Sequence, residues 1–272
     1  MKMQSLYYKH LILLVVSGLL LGSCTTTPSG RSQLVLKSDA ALAQEGARQF
    51  NDLRNTAPLV QDRATIDYVA CVANAIVDVL EGDDAAMYWE LAIIDQPQVN
   101  AFVLPGGKIA VFNGILSVAK NQNQLGTVLG HEVAHVTANH SNERASRAMI
   151  SDVGIDIAAI LVGGGYARQT QAANEALHTG AAMGVLNPFS RMQESEADLI
   201  GLEYMAMAGF DPRESVQLWQ NMNAKNKSSI PEFMSTHPSG ETRIEDLVDA
   251  LPHALMLFNK AREEGKDPQC YQ

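Results

Sequence analysis

Runs of Lys and Arg are missing from this sequence, and its 20 basic residues are outnumbered by 30 acidic ones. A nucleic-acid partner is therefore excluded, because the electrostatic footprint that phosphate binding needs is not there. Internal repeats are absent too, as is any low-complexity stretch beyond residues 25–33, so a solenoid is ruled out. "GGG" at 163–165 is not followed by Lys-Ser/Thr and so is no phosphate loop. What remains is 272 residues with 46% hydrophobic content, ample for one well-buried domain.

The N-terminus is the exception to the lack of long apolar runs. Lys2 and Lys9 precede "LILLVVSGLLLG" (11–22), a charged start and apolar stretch that read as a signal peptide over 1–23. The stretch ends in "LGSC", which resembles a bacterial lipobox with Cys24 as the lipidated first residue. The alternative is an ordinary signal peptide followed by a chance cysteine. Polar residues after Cys24 predict a flexible tether over 24–38. Thr25 stands where an inner-membrane retention aspartate would, so the sorting rule for such lipoproteins implies the outer membrane, with the domain in the periplasm. Multiple acyl chains at Cys24 would anchor it stably. Export also bears on Cys71 and Cys270. Cys71 falls on the polar face of its helix with Asp67, Asn74 and Asp78, which favours pairing with Cys270 in an oxidising compartment; two separate thiols are the alternative.

Helical periodicity dominates the rest. Helices are expected over 39–54, 58–81, 122–148, 154–166 and 191–208, with a last pair over 240–250 and 254–264. Between them "MYWELAII", "VNAFVL" and "KIAVF" (87–112), with "PGG" as a turn, predict a small antiparallel sheet. The expected fold is α+β and mostly helical, a single domain over 39–265 with a C-terminal tail at 266–272.

Seven histidines occur, and three of them fall within "HEVAHVTANH" (131–140). Positions i and i+4 lie about 40° apart around a helix, so His131 and His135 can reach one ion at ~2.0–2.1 Å. Glu132 points off that line, placed to touch a water held by the metal; this is the H-E-x-x-H arrangement with the glutamate as general base. The extended motif with a third histidine fails, since Ala138 and Ser141 occupy its Gly and His positions. His140 reads as a structural histidine at the end of the helix, its ring carried away from the ion. A catalytic zinc needs a third protein ligand. Glu194 and Asp198 in "SRMQESEADLIG" are i,i+4 on a second helix and suit a ligand with a carboxylate behind it. Periodicity alone leaves open whether Glu194, Glu196 and Asp198 are instead a solvated acidic face.

"HEVAHVTANH", "SRMQESEADLIGLEYMAMAGFDP" and "THPSGETRI", in this order and spacing, resemble the family 48 zinc metallopeptidases of the HtpX and CAAX prenyl protease type, and within them short bacterial lipoprotein peptidases. The similarity spans about residues 40–252, with "NAFVLPGGKIAVFNGIL" (100–116) matching the strand before the metal helix. The resemblance implies a zincin-type, gluzincin-like domain with the sheet beside the metal helix. It implies one Zn2+ held by His131, His135 and Glu194, Glu132 as base, and Asp198 orienting His131. It also places His237 near the zinc with Arg243 six residues on. His237, on a loop before Pro238, would either bond the oxyanion or occupy the open zinc position at rest, and Arg243 would help with the oxyanion.

The expected function is a zinc-dependent endopeptidase hydrolysing unfolded or misassembled envelope proteins. An extended substrate would add along the strand carrying Asn100, Ala101 and Phe102. Two rivals remain: a chaperone-like assembly lipoprotein with a structural, plugged zinc, and a zinc hydrolase of a non-peptide bond.

Overall fold

The chain folds through a hairpin of β1 (Cys24–Thr26) and β2 (Ser32–Leu34), then helices α1 (Asp39–Thr56), α2 (Arg63–Val77) and the short α3 (Gly82–Ala86). β3 (Glu90–Ile94), β4 (Ala101–Leu104) and β5 (Lys108–Phe112) follow, and a 3-10 turn leads into α4 (Gln122–Thr137). A further helix, α5, covers 140–149; then come α6 (Arg191–Met207), α7 (Glu214–Asn226) and α8 (Glu241–Glu263). This computed structural model describes residues 24–149, 190–226, 233–234, 237 and 241–271. The signal peptide expected at 1–23, the helix expected at 154–166, His178 and Pro238 lie outside them. Among the described residues no helix is long and apolar enough to cross a membrane.

Local chemistry explains most helix starts. Ser38, Asp62 and Asn121 each accept the N–H three residues on, capping α1, α2 and α4, and Ser190 and Gln193 form a reciprocal capping box on α6. The core forms where α2 (Val69, Val72, Ile76), α4 (Leu125, Leu129) and α6 (Leu202, Met205) meet the sheet, all within one buried cluster.

Four expectations are corrected. The sheet is mixed, not antiparallel: its order is β3-β5-β4, with β4 antiparallel and β3 parallel to β5. Residues 95–100 carry the chain past the β5 position, and the turn at Gly106 and Gly107, both at positive φ, brings β5 back between its neighbours. β5 is consequently buried along its whole length, whereas β4 alternates. Second, residues 24–38 are not a flexible tether, because they contain the β1–β2 hairpin. Third, the helix expected over 122–148 breaks at Ala138–Asn139, where Asn139 takes φ 56°. Asparagine tolerates this left-handed conformation better than most residues. Fourth, the expected pair at 240–264 is one helix through Pro252; the carbonyl this leaves without an N–H partner belongs to Val248, which faces water.

Cys71 on α2 and Cys270 are joined by a disulfide with Cα atoms 5.7 Å apart. Cys270 is buried, and its N–H donates to Gln122 Oε1 at 2.8 Å, so the C-terminal segment is bound to the start of α4. A loop of this size, with the cysteines 199 positions apart in sequence, corresponds to about 5 kcal/mol of stabilisation in the chain-entropy account.

Candidate active site

α4 is buried on every side from Gln124 to His135, so His131, Glu132 and His135 lie at the centre of the molecule. Its partner is α6, and the two backbones nearly touch. A Cβ on Gly130 would stand 2.6 Å from Gly201 O, and one on Gly201 would stand 2.6 Å from His131 N. Only glycine at both positions permits that approach, and it brings the start of α6 over the two histidines.

The result is a convergent donor set. His131 Nε2 lies 3.1 Å from His135 Nε2 and 3.2 Å from His237 Nδ1. Glu194 Oε1 lies 3.0 Å from His237 Nδ1 and 3.5 Å from His135 Nε2. All four side chains are buried, with one donor atom from each within 4.8 Å of the others. Ligands at ~2.0–2.1 Å from a tetrahedral ion stand about 3.3–3.4 Å apart, so the observed spacing fits a single divalent metal. The chemistry of the set points the same way: imidazole nitrogens turned towards one another and a carboxylate need a cation between them. Although burial opposes a charge there, Asp198 and Glu194 lift His131 to about 9.

Asp198 Oδ1 lies 3.0 Å from His131 Nδ1, the ring atom that faces away from the donor set. Arg243 Nε and Nη2 donate to the two oxygens of Asp198 at 2.6 and 2.8 Å, and Nη1 lies 2.8 Å from Glu194 Oε2. Its guanidinium also stacks 4.1 Å from the Trp219 ring. Despite the burial that disfavours charge, the imidazoles of His131 and His237 hold the Glu194 carboxyl well below its ordinary range. Glu132 behaves oppositely. Burial raises its carboxyl, only partly offset by the imidazoles of His237 and His131 and by the Val103 N–H. Its Oε1 is buried without a hydrogen bond, 3.3 Å from His237 Nε2. His237 stacks on Phe233 with centroids 4.7 Å apart, and Phe233 N–H donates to Val99 O beside β4.

The solvated acidic face is not found: Glu194, Glu196 and Asp198 are 1%, 6% and 5% exposed. His140 stays outside the donor set, as expected; its Nδ1 sits 2.8 Å from His135 Nδ1, on the far side of that ring, while its Nε2 lies 3.1 Å from Glu196 Oε2. The break at Asn139 turns α5 back and delivers the ring there. Burial outweighs Glu196 and keeps His140 below its ordinary range; burial and the neighbouring imidazoles lower His135 further. Sequence reasoning thus missed the roles of His140 and Glu196, and the signal it passed over was Asn139, a left-handed former in mid-helix. His253 is on the surface, 3.5 Å from Glu203.

Among the described residues no strand pairs with the outer side of β4, which lies beside α4, though the Val103 N–H there bonds Glu132. Phe112 N donates to Asn100 O, so by antiparallel alternation Asn100 and Phe102 pair with β5. The outward N–H and C=O groups therefore belong to Ala101 and Val103. A cavity of about 530 Å³ opens where the β4–β5 turn meets α1 and the end of α4, lined by Asp39, Pro105, Gly106 and His135 among others.

Comparison with known proteins agrees with this geometry. Residues 64–251 match the Peptidase family M48. The mitochondrial metalloendopeptidase OMA1 of Schizosaccharomyces pombe is 36% identical over 240 residues, 87% of this chain and 66% of the relative. OMA1 of Saccharomyces cerevisiae is 36% identical over 64% of this chain and 50% of its own length. The beta-barrel assembly-enhancing protease of Yersinia pestis is 26% identical over 80% and 45%. The chain thus spans between about half and two thirds of these relatives. With most of its length matched and its buried histidines and glutamate gathered at one point, the chain belongs to peptidase family M48.

Proposed function

We propose that this chain is a zinc-dependent endopeptidase, lipid-anchored at Cys24 on the periplasmic side of the outer membrane, that hydrolyses unfolded or misassembled envelope proteins. One observation carries the reading: His131, His135 and Glu194 converge with Glu132 beside them. These three residues would hold Zn2+, which when bound acidifies a water and polarises a carbonyl. Glu132 takes the proton of the attacking water and returns it to the leaving amine, a task suited to a carboxyl raised by burial. Arg243 is a positioning residue: its guanidinium is engaged by Asp198 and Glu194, so it acts on the ligands, whereas the sequence suggested the oxyanion. Ala101 and the Val103 carbonyl offer backbone groups for strand addition, with Asn100 and Phe102 flanking them, while the Val103 N–H is engaged by Glu132.

His237 Nδ1 faces the same point as the three ligands, which supports a resting state in which it covers the position a substrate needs. The same contact favours the second reading, a chaperone-like assembly lipoprotein whose structural zinc stays plugged. Protein substrates are supported by the relatives described as metalloendopeptidases, and envelope clients by the one described as assembly-enhancing. The lipobox-like "LGSC" supports the anchor.

Incubating the zinc-loaded protein and its His237→Ala variant with unfolded casein, with and without a chelator, separates the readings. A peptidase cleaves in a chelator-sensitive way, faster in the variant. No cleavage by either protein, with zinc bound, would overturn the peptidase reading in favour of its two rivals.

A further inference from the structure

The mechanism does not use the N-terminal hairpin, yet the hairpin ends on the metal centre. Its turn presents Thr27 Oγ1 and Ser29 Oγ, which both donate to Glu196 Oε1. Arg31 Nε donates to Glu196 Oε2 at 2.6 Å, and its two terminal nitrogens bind Glu143 side-on at 2.9 Å each. The chain after β2 is fastened as well: Leu36 N–H donates to Ser146 Oγ at 2.8 Å, and Asn142 Nδ2 to Lys37 O at 2.8 Å. Polar residues typical of a linker are thus bonded to carboxylates that are 1% and 6% exposed.

Proton placement follows from these contacts. Glu196 Oε2 is a carboxylate oxygen and accepts, so His140 donates to it from Nε2. His140 Nδ1 is then the acceptor of the 2.8 Å contact, and His135 must hold its own proton on Nδ1. That tautomer gives His135 Nε2 the lone pair facing the donor set. Metal-bound histidines are generally fixed in this way by a carboxylate or carbonyl at the other ring nitrogen. Asp198 serves His131 directly; for His135 the carboxylate stands one imidazole further away, and the hairpin holds it.

We infer that the N-terminal hairpin is a working part of the metal centre: Thr27, Ser29 and Arg31 are positioning residues that fix Glu196, and through Glu196 and His140 they fix the tautomer and orientation in which His135 meets the metal. The inference rests on the proposed zinc site. It goes beyond that reading in making a segment outside the matched family region, 64–251, a determinant of metal affinity.

The test is metal affinity, measured by competition against a chromophoric chelator with Zn2+, and the visible absorption of the Co2+-substituted protein. Wild type, Glu196→Gln, Arg31→Ala, Arg31→Lys and the double variant Thr27→Ala/Ser29→Ala are compared. Glu196→Gln is expected to weaken Zn2+ binding roughly 10- to 100-fold, the usual effect of losing such a partner, and to alter the Co2+ spectrum. Arg31→Ala weakens binding less and Arg31→Lys restores part of it, since lysine keeps the charge but cannot bridge both carboxylates. Should Glu196→Gln or Arg31→Ala fail to fold, the double variant, which leaves every charge in place, decides, with a several-fold loss expected. Folded variants with wild-type affinity and spectrum would overturn the inference. A wild-type protein that takes up no Zn2+ or Co2+ would instead overturn the proposed metal site on which it rests.

Discussion

His131 and His135 face the same point from one helix, but they are held from opposite sides and by unlike means. Behind His131 stands a charged carboxylate in direct contact, itself gripped by Arg243 from α8. Behind His135 stands a second imidazole, then Glu196, then a hairpin from the far end of the chain. The first support is short, ionic and enclosed by helices that also form the core. The second is a neutral link closed by a carboxylate and reaches the surface, where Arg31 is half-buried. The difference implies that damage on the His131 side unfolds the protein, while damage on the His135 side registers first at the metal.

The largest expected effect lies on the ionic side. Arg243→Ala leaves Asp198 and Glu194 buried together without their cation, and breaking a buried pair this way costs about 3–5 kcal/mol. Urea unfolding of the metal-free protein measures it, and a loss below 1 kcal/mol would erase the contrast between the two supports. Next comes the crossing that both supports need. Gly201→Ala places a methyl 2.6 Å from His131 N, so α4 and α6 must separate at a cost of about 1–3 kcal/mol. Thermal unfolding and Zn2+ competition should both worsen; a wild-type midpoint would show that the crossing has slack.

The smallest effect is on pH dependence. Although burial works against ionisation, Ser29, Thr27, Arg31 and His140 hold the Glu196 carboxyl down at about 2 against an ordinary 4.5. A carboxyl with a depressed folded pKa stabilises fully above its unfolded value, and that contribution disappears as pH falls from 4.5 towards 2. Glu143, Glu194 and Asp198 are shifted the same way, so the melting temperature should fall over this range. Glu196→Gln should flatten part of the acid slope and leave the neutral plateau without its own pH dependence. An unchanged slope would mean that the hairpin contributes nothing to the ionised state.

Legibility in the sequence followed the range of the interactions. The metal helix and its partner were readable because i,i+4 spacing is a local property, and Asn121 and Ser190 mark their starts by short-range chemistry. β4, the Pro-Gly-Gly turn and β5 were readable for the same reason. The parallel pairing of β3 with β5 was not, since it depends on residues 95–100 skipping the position that β5 later fills. The contact of His140 with His135 was not foreseen because a single residue, Asn139, redirects the chain by one left-handed step. The hairpin was misread because Thr, Ser and Gly just after an apolar N-terminal stretch look like a solvated linker. Only the three-dimensional position of Glu196 and Glu143 turns those hydroxyls and Arg31 into buried partners.

The most direct test of the account is to compare zinc content and casein cleavage in the wild type and in Glu132→Gln. One zinc per chain in both proteins, with cleavage by the wild type only, is the predicted result. Undiminished cleavage by Glu132→Gln, or no zinc retained by the wild type, would contradict it.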